Sequence, residues 1–524
     1  MRRSRCPSMN SDPAEGLTLY DIFQHNCGHF AQRTAMRIDG HSISYAQLHT
    51  LVDQTRRILS PHVQRGDRVA LWMHNCFSWV ASFIALNALG AVSVPVNTRL
   101  TGPELRTIIE DADAHVLITA NSYRDRTYID EAIEALKGCE VTVFSASDDL
   151  PPASWPCIAG ASGTQAPLAA PAGIFCVQYT SGTTSTPKGV MLTNEGYLRT
   201  AAYVARCQRL TPSTEFISAG PFFHCSGSMH AITTCLLAGS TLTSMSVWDP
   251  ERYLDLVETH QCDVSHMVYY RDVLSLNRSI ARHKLRSMRV THDLGTREYL
   301  LRLHDELGLA GISNIYGMTE TAGQYTMWCP DDPLESRLSA NGRPQPGNLL
   351  RLGDPDTGEP LPSGKTGEIQ MRGSTLSPGY FNRPQADAAA RTADGWLRSG
   401  DLGQLTENGE LVYIARLKEI IRVGGENLAP AEVEQVMRDY CNLPQVCVLG
   451  VPNLRLDEVP AAVVVGAANV EWAAVLQSMR SHLAGFKIPR EIYLADSFPT
   501  TGTNKVQRSV LRELIADSKL TRVF

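Results

Sequence analysis

Tyr179-Thr180-Ser181-Gly182-Thr183-Thr184-Ser185-Thr186-Pro187-Lys188-Gly189 follows directly on the apolar run 174–179. A short apolar run that ends in a segment rich in hydroxyls and glycine reads as a buried strand feeding a loop. The loop holds six Ser/Thr hydroxyls, two glycines and a lysine. Hydroxyls and free backbone amides donate hydrogen bonds, glycine lets the backbone come close, and Lys188 offsets negative charge, so the segment suits phosphate oxygens. A Walker loop needs Gly directly before Lys; Pro187 stands there instead, which disfavours a P-loop ATPase. Taken alone, the same segment also fits a solvated Ser/Thr-rich turn.

Upstream of this strand, the apolar runs 69–73, 91–96, 116–120 and 141–144 alternate with helix-period segments that begin near Leu17. That rhythm predicts an α/β layered fold. A Pro-, Ala- and Ser-rich stretch, 151–171, reads as a surface linker. Beyond Leu349 the helical period fades, and Gly, Pro and Asp recur between short strands, predicting a small β-rich subdomain. After Arg416 the pattern changes again. Pro430 opens a helix whose apolar face is read as Val433, Val436, Met437 and Tyr440, followed by strands at 446–451 and 461–465 and a second amphipathic helix ending near Leu483.

The bulk numbers bound the answer. With 524 residues, 43% hydrophobic and 19% charged, the chain is an ordinary globular one, too long for a single core, since cores stop growing at roughly 250–300 residues. One large and one smaller domain are expected. The formal net charge of -6 leaves no basic stripe, so nucleic acid is not an expected partner. Thirteen cysteines without a CxxC pair or zinc spacing fit a reducing cytoplasm. No apolar stretch approaches the roughly 20 residues of a membrane span. Residues 1–16 carry Arg2, Arg3 and Arg5 ahead of Ser11, Asp12, Pro13 and Glu15 and are read as a disordered tail, not a signal peptide.

Four more segments carry chemistry. Asn314-Ile315-Tyr316-Gly317-Met318-Thr319-Glu320-Thr321 offers a carboxylate oxygen suited to a hard cation that bridges phosphates. Ser399-Gly400-Asp401 ends in a carboxylate able to accept from two hydroxyls. Tyr413-Ile414-Ala415-Arg416-Leu417-Lys418-Glu419-Ile420-Ile421-Arg422-Val423-Gly424-Gly425-Glu426-Asn427 joins basic residues to a glycine pair, and Pro499-Thr500-Thr501-Gly502-Thr503-Asn504-Lys505-Val506 carries a lysine near its end. Each read alone fits a strand end, a cap or a charged surface.

Together with the 179–189 loop, and in this order, these segments resemble the motifs of the adenylate-forming superfamily of acyl-CoA synthetases, peptide-synthetase adenylation domains and luciferases, from about residue 17 to 506. The resemblance implies an α/β fold: a large N-terminal domain, 17–416, of two α/β layered lobes plus a small β-barrel-like subdomain, and a small mobile α+β C-terminal domain, 417–524, with its hinge at Lys418. It implies activation of a carboxylic acid by ATP and Mg²⁺ to an acyl-adenylate, then transfer to coenzyme A. Thr180, Ser181, Gly182, Thr183, Thr184 and Lys188 would hold phosphates, Tyr316 would pack on adenine, Thr319 would meet the α-phosphate and Glu320 would hold the metal. Asp401 and Arg416 would bind the ribose, Arg416 also the phosphate. Gly424 and Gly425 would line the pantetheine tunnel, and Lys505 would bridge the substrate carboxylate and α-phosphate.

The acyl pocket implied by the resemblance includes Phe223, His224, Tyr269, His292 and Gly317, with His224 fitting a structural role equally well. No aspartate stands near Pro221-Phe222-Phe223-His224 to hold a substrate ammonium, which disfavours an amino acid. The sequence departs from the pattern at Val290-Thr291-His292-Asp293-Leu294-Gly295-Thr296 and at Tyr269-Tyr270-Arg271, where relatives carry smaller residues, so a reshaped pocket for an aromatic or polycyclic acid is expected. A pantetheine-bearing carrier protein or a partner enzyme is the rival acyl acceptor, an inactive nucleotide-binding scaffold the reading of another class, and a homodimer is compatible with either.

Overall fold

The computed structural model describes residues 16–146, 157–158, 173–180, 187–266, 269–423, 426–443, 445–453, 455–466, 470–500 and 505–524. The tail 1–15, most of the 151–171 linker, Ser181, Gly182, Thr183, Thr184, Gly424 and Gly425 lie outside them. Two compact units form. The first holds the residues up to Leu349 with Arg372–Arg391 and Gly409–Leu411; the second holds Leu350–Met371, Thr392–Asn408 and Val412–Phe524.

The first unit contains two seven-stranded sheets. One runs Ile312–Asn314, Val290–Asp293, Val264–His266, Glu215–Ser218, Thr241–Ser244, Thr34–Ile38 and His41–Ser44, parallel except for the last pair. The other runs Cys157–Ile158, Thr142–Ala146, Val116–Ala120, Arg68–Trp72, Val92–Pro95, Ile174–Thr180 and Lys188–Thr193, parallel inside with an antiparallel pair at each edge. The five-residue strands Arg68–Trp72 and Val116–Ala120 are buried throughout, as parallel strands covered on both faces must be. The helix Phe77–Leu89 is apolar on all sides and buried from Phe77 to Asn87, so it sits inside the layers instead of capping them. The loops that carry ligands leave such sheets at the carboxyl ends of the parallel strands.

Asn348–Gly353, Gly367–Gly373, Leu397–Leu405 and Leu411–Arg416, most of whose residues belong to the second unit, make a four-stranded sheet, the β-rich subdomain expected from Leu349 onward. The C-terminal part of the second unit is a sheet built on the long antiparallel pair Val446–Asn453 and Asp457–Val465, covered by the helices Pro430–Cys441 and Trp472–Arg480. One expected face residue moves. Val433 and Met437 are buried, but Tyr440 is 58% exposed and stacks on His482, ring centroids 3.8 Å apart. Seven residues from Val433, Tyr440 belongs to the stripe by period, but it lies in the helix's last turn and packs on His482 instead of entering the core. Among the described residues, no helix is long and apolar enough to cross a membrane.

Candidate active site

The strand Ile174–Thr180 pairs antiparallel with Lys188–Thr193, and Thr180 stands opposite Lys188, so the two ends of the 181–186 segment are held side by side. Gly189 has to be small: a Cβ there would lie 2.7 Å from Val177 Cγ1. A third strand-like segment closes on this hairpin. Val190 bridges Tyr380, Met191 N donates to Gly379 O at 3.0 Å, and Phe381 N donates to Gly189 O at 2.8 Å.

That register puts Tyr380 between two expected site residues. The Lys188 ammonium sits 5.2 Å from the Tyr380 ring centroid, a cation–π distance, while the Tyr380 hydroxyl donates to Glu320 Oε1 at 2.7 Å. The Glu320 carbonyl accepts from Ser377 N at 2.7 Å, so the 377–381 segment clasps both motifs. Burial, and then the facing Glu320 carboxylate, hold the Tyr380 hydroxyl well above its ordinary pKa, so it stays a donor. Sequence reading missed Tyr380, because nothing local marks a tyrosine that acts across so long a stretch of chain.

Glu320 lies in the single 3₁₀ turn Thr319–Thr321, after the strand Ile312–Asn314. Gly317 permits that turn: a Cβ would lie 2.3 Å from Gly323 O and 2.6 Å from Gln324 Cα, both backbone. Tyr316 is buried and bridges Thr326, while Thr319 is half-buried at the mouth of the turn. Among the described residues, no three or more His, Cys, Asp or Glu side chains form a ready metal cage. The single carboxylate of Glu320, with one oxygen held by Tyr380, fits a Mg²⁺ that takes its other ligands from phosphates and water.

In the second unit, Asp401 is buried and Arg416 Nε pairs with its Oδ1 at 2.9 Å. Lys505 lies in the same electrostatic neighbourhood. Its surroundings are crowded while the side chain keeps contact with solvent; burial, then the Arg416 charge, lower its pKa, and Asp401 and Glu419 push the other way. Next to Lys505, Val506 forms an isolated bridge with Thr500. Arg508 reaches Glu419 at 3.1 Å and Val448 O at 3.2 Å and also bonds Glu434. Lys418 is exposed in the turn Leu417–Glu419, directly after the strand that carries Arg416.

Of the residues expected at the acyl pocket, Phe223 is buried and its carbonyl accepts from Gln178 at 2.6 Å. His224 is half-buried and caps a short turn, its Nδ1 accepting from Ser226 N at 3.2 Å, which is the structural role allowed for it. Tyr269 packs on Trp248, centroids 5.2 Å apart. His292 is buried in the strand Val290–Asp293, where its Nδ1 accepts from the Gln208 amide at 3.0 Å.

Asp293, next along that strand, is fully buried. It accepts from Leu294 N at 2.7 Å and from the Tyr299 hydroxyl at 2.7 Å, and burial still pushes its pKa up to about 7. A carboxyl raised in the native state stabilises the fold fully below its unfolded pKa near 4, and that contribution is lost as pH rises through about 7. Asp293→Asn should therefore leave the melting temperature unchanged near pH 4. By pH 8 it should raise stability by an amount on the order of a few kcal/mol. Thermal melts from pH 4 to 8 check this, and parallel curves for the two proteins would refute it.

Comparison with known proteins settles the family. The family described as AMP-binding enzyme matches residues 23–381, and the AMP-binding enzyme C-terminal domain matches 432–505. The chain belongs to the AMP-binding enzyme family. It is 34% identical over 469 residues, 86% of this chain and 90% of the other, to the 3-[(3aS,4S,7aS)-7a-methyl-1,5-dioxo-octahydro-1H-inden-4-yl]propanoyl:CoA ligase of Mycobacterium tuberculosis. It is 32% identical to a feruloyl-CoA synthase of Amycolatopsis sp, over 91% of this chain and 95% of that one. The ATP-bound structure of MatB from Rhodopseudomonas palustris superposes with a TM-score of 0.83 at 27% identity, covering 96% of this chain and 100% of that one. This AMP-binding enzyme is an AMP-forming acyl-CoA ligase: it activates a carboxylic acid with ATP and forms the coenzyme A thioester.

Proposed function

We propose that this ligase activates a bulky, ring-bearing carboxylic acid, with Mg²⁺ on Glu320, and that its small domain turns at Lys418 between the two half-reactions. The observation that carries the reading is the Lys188–Tyr380–Glu320 link, which couples the phosphate-loop lysine to the metal carboxylate through one side chain. Relatives whose names specify a methyl-dioxo-octahydroindenyl propanoyl group and a feruloyl group support the ring-bearing acid. So do the bulky Tyr269 and His292, at positions where the family resemblance implies smaller residues.

In the first half-reaction the substrate carboxylate attacks the α-phosphorus and pyrophosphate leaves. Positioning and charge are the protein's contribution. Lys188 faces the departing phosphates, Thr319 meets the α-phosphate, Tyr316 packs on adenine, and Lys505 orients the attacking carboxylate. Asp401 and Arg416 bind the ribose. Magnesium bound at Glu320 would supply charge neutralisation across the phosphate oxygens. In the second half the 417–524 domain rotates, withdraws Lys505 and brings Gly424 and Gly425 to the thiol's path.

A panel of aromatic, polycyclic and straight-chain acids, incubated with ATP and Mg²⁺ and read by pyrophosphate release, tests the acid class. Faster turnover of straight-chain fatty acids would overturn it. Running the panel with coenzyme A and with a phosphopantetheinylated carrier protein in separate vessels ranks the acceptors, and a carrier preferred over coenzyme A would favour the rival reading.

A further inference from the structure

Three histidines meet at the carboxyl ends of the first sheet's parallel strands. His266 ends the strand Val264–His266, and its register partner on the next strand is His292, rings 6.1 Å apart. His230 comes from the helical segment after His224 and lies flat on His266, centroids 3.7 Å apart with planes 6° from parallel. All three are almost wholly enclosed, at 2%, 5% and 1% exposure for His230, His266 and His292. Burial is the main reason their pKa values fall, to about 3 for His266 and His292, so the imidazoles are neutral.

Two features separate this cluster from ordinary core packing. His230 Nε2 lies 3.3 Å from Gly323 O, so that nitrogen carries the hydrogen and Nδ1 is left as a lone-pair acceptor. Among the described residues, the buried Nδ1 of His230 and the buried Nδ1 of His266 have no hydrogen-bond partner, a costly state for enclosed polar atoms. In addition, His230 sits in a π-helical turn, Ser228–Thr233, a rare widened turn found frequently at functional sites. Gly323, which holds His230, closes the turn that carries Glu320, so the pair stands beside the expected reaction centre.

We infer that His230 and His266 are specificity-determining residues that hydrogen-bond an uncharged oxygen, hydroxyl or keto, on the ring system of the acid. This rests on the reading of the chain as a ligase for ring-bearing acids and names the substituent that reading leaves open. A neutral imidazole pair shut away from water suits an uncharged oxygen, because a second carboxylate would have to be desolvated without a fixed cation. A hydroxyl can donate to His230 Nδ1 and accept from His266 in the tautomer that carries its hydrogen on Nδ1, whereas a keto oxygen can only accept, from that same His266 N–H.

Cyclohexylpropanoate, its ring-hydroxylated form and its ring-keto form, each supplied with ATP, Mg²⁺ and coenzyme A, provide the test. The wild-type enzyme should prefer both oxygenated acids to the hydrocarbon parent by roughly 10–100-fold in kcat/KM, since a site built to hydrogen-bond rejects an analogue that lacks the partner. His266→Phe should bring both preferences close to unity, and His230→Phe only the hydroxyl preference. His266→Gln, which keeps a donor and an acceptor, should retain most of the discrimination and decides the matter if the Phe variants fail to fold by circular dichroism. Equal turnover of the three acids by the wild type, or a preference that survives His266→Phe, would overturn the inference while leaving the ligase reading intact. No pyrophosphate from any ring-bearing acid would remove both.

Discussion

Lys505→Ala should lower the rate of acyl-adenylate formation by about 10²–10³-fold, the usual loss when one preorganised charge at a transition state is removed. Thioester formation from acyl-adenylate supplied ready-made should stay within roughly twofold of wild type, because the proposed rotation has already withdrawn this lysine. The structure gives reasons for the size of the effect. Lys505 shares its electrostatic surroundings with Arg416, Asp401 and Glu419, two of which are the groups expected at the ribose and phosphate. Its lowered pKa adds a second signature: as pH rises, the ammonium is lost sooner than from an ordinary lysine, so adenylation should decline on the alkaline side while the thioester step keeps its rate. Pyrophosphate release and acyl-CoA production, measured separately across pH, give both readouts. An equal loss in the two half-reactions would contradict the alternation.

The second large effect is expected at Glu320. Glu320→Gln should cut adenylation by about 10²–10³-fold and weaken its dependence on Mg²⁺, since a neutral amide oxygen cannot replace a carboxylate on a hard cation. The amide oxygen can still accept from Tyr380, so the clasp of 377–381 over the phosphate hairpin should persist and the melting temperature should barely move. A Mg²⁺ titration of pyrophosphate release beside a thermal melt separates lost chemistry from lost fold. A variant with an unchanged Mg²⁺ profile would remove Glu320 from the metal site. Tyr380→Phe makes a useful companion, because it leaves the carboxylate in place and removes only the hydrogen bond.

What could be read in the chain and what could not divide along a physical line. Strands such as Arg68–Trp72 and Val116–Ala120 announce themselves as apolar runs, because parallel strands buried on both faces tolerate little else. The helix Pro430–Cys441 begins at its proline for an equally local reason. Tyr440 departs from its apolar stripe because exposure is decided by what lies opposite a residue, and that is not encoded in the period. Tyr380, Asp293, His230 and His266 carry no local signature at all. Their environments arise only when strands and turns distant in sequence come into register.

By itself the amino-acid sequence determined the adenylate-forming family, the layered α/β plan and the hydroxyl, carboxylate and lysine groups offered to a nucleotide, because loop chemistry and hydrophobic period are properties of neighbouring residues. Only the tertiary structure decided that Tyr380 joins Lys188 to Glu320, that Asp293 is held near neutrality by burial, and that three imidazoles share one enclosed corner. Those facts depend on which backbone lies beside which, and register between strands sets desolvation and hydrogen-bond partners at a distance that a one-dimensional pattern does not record.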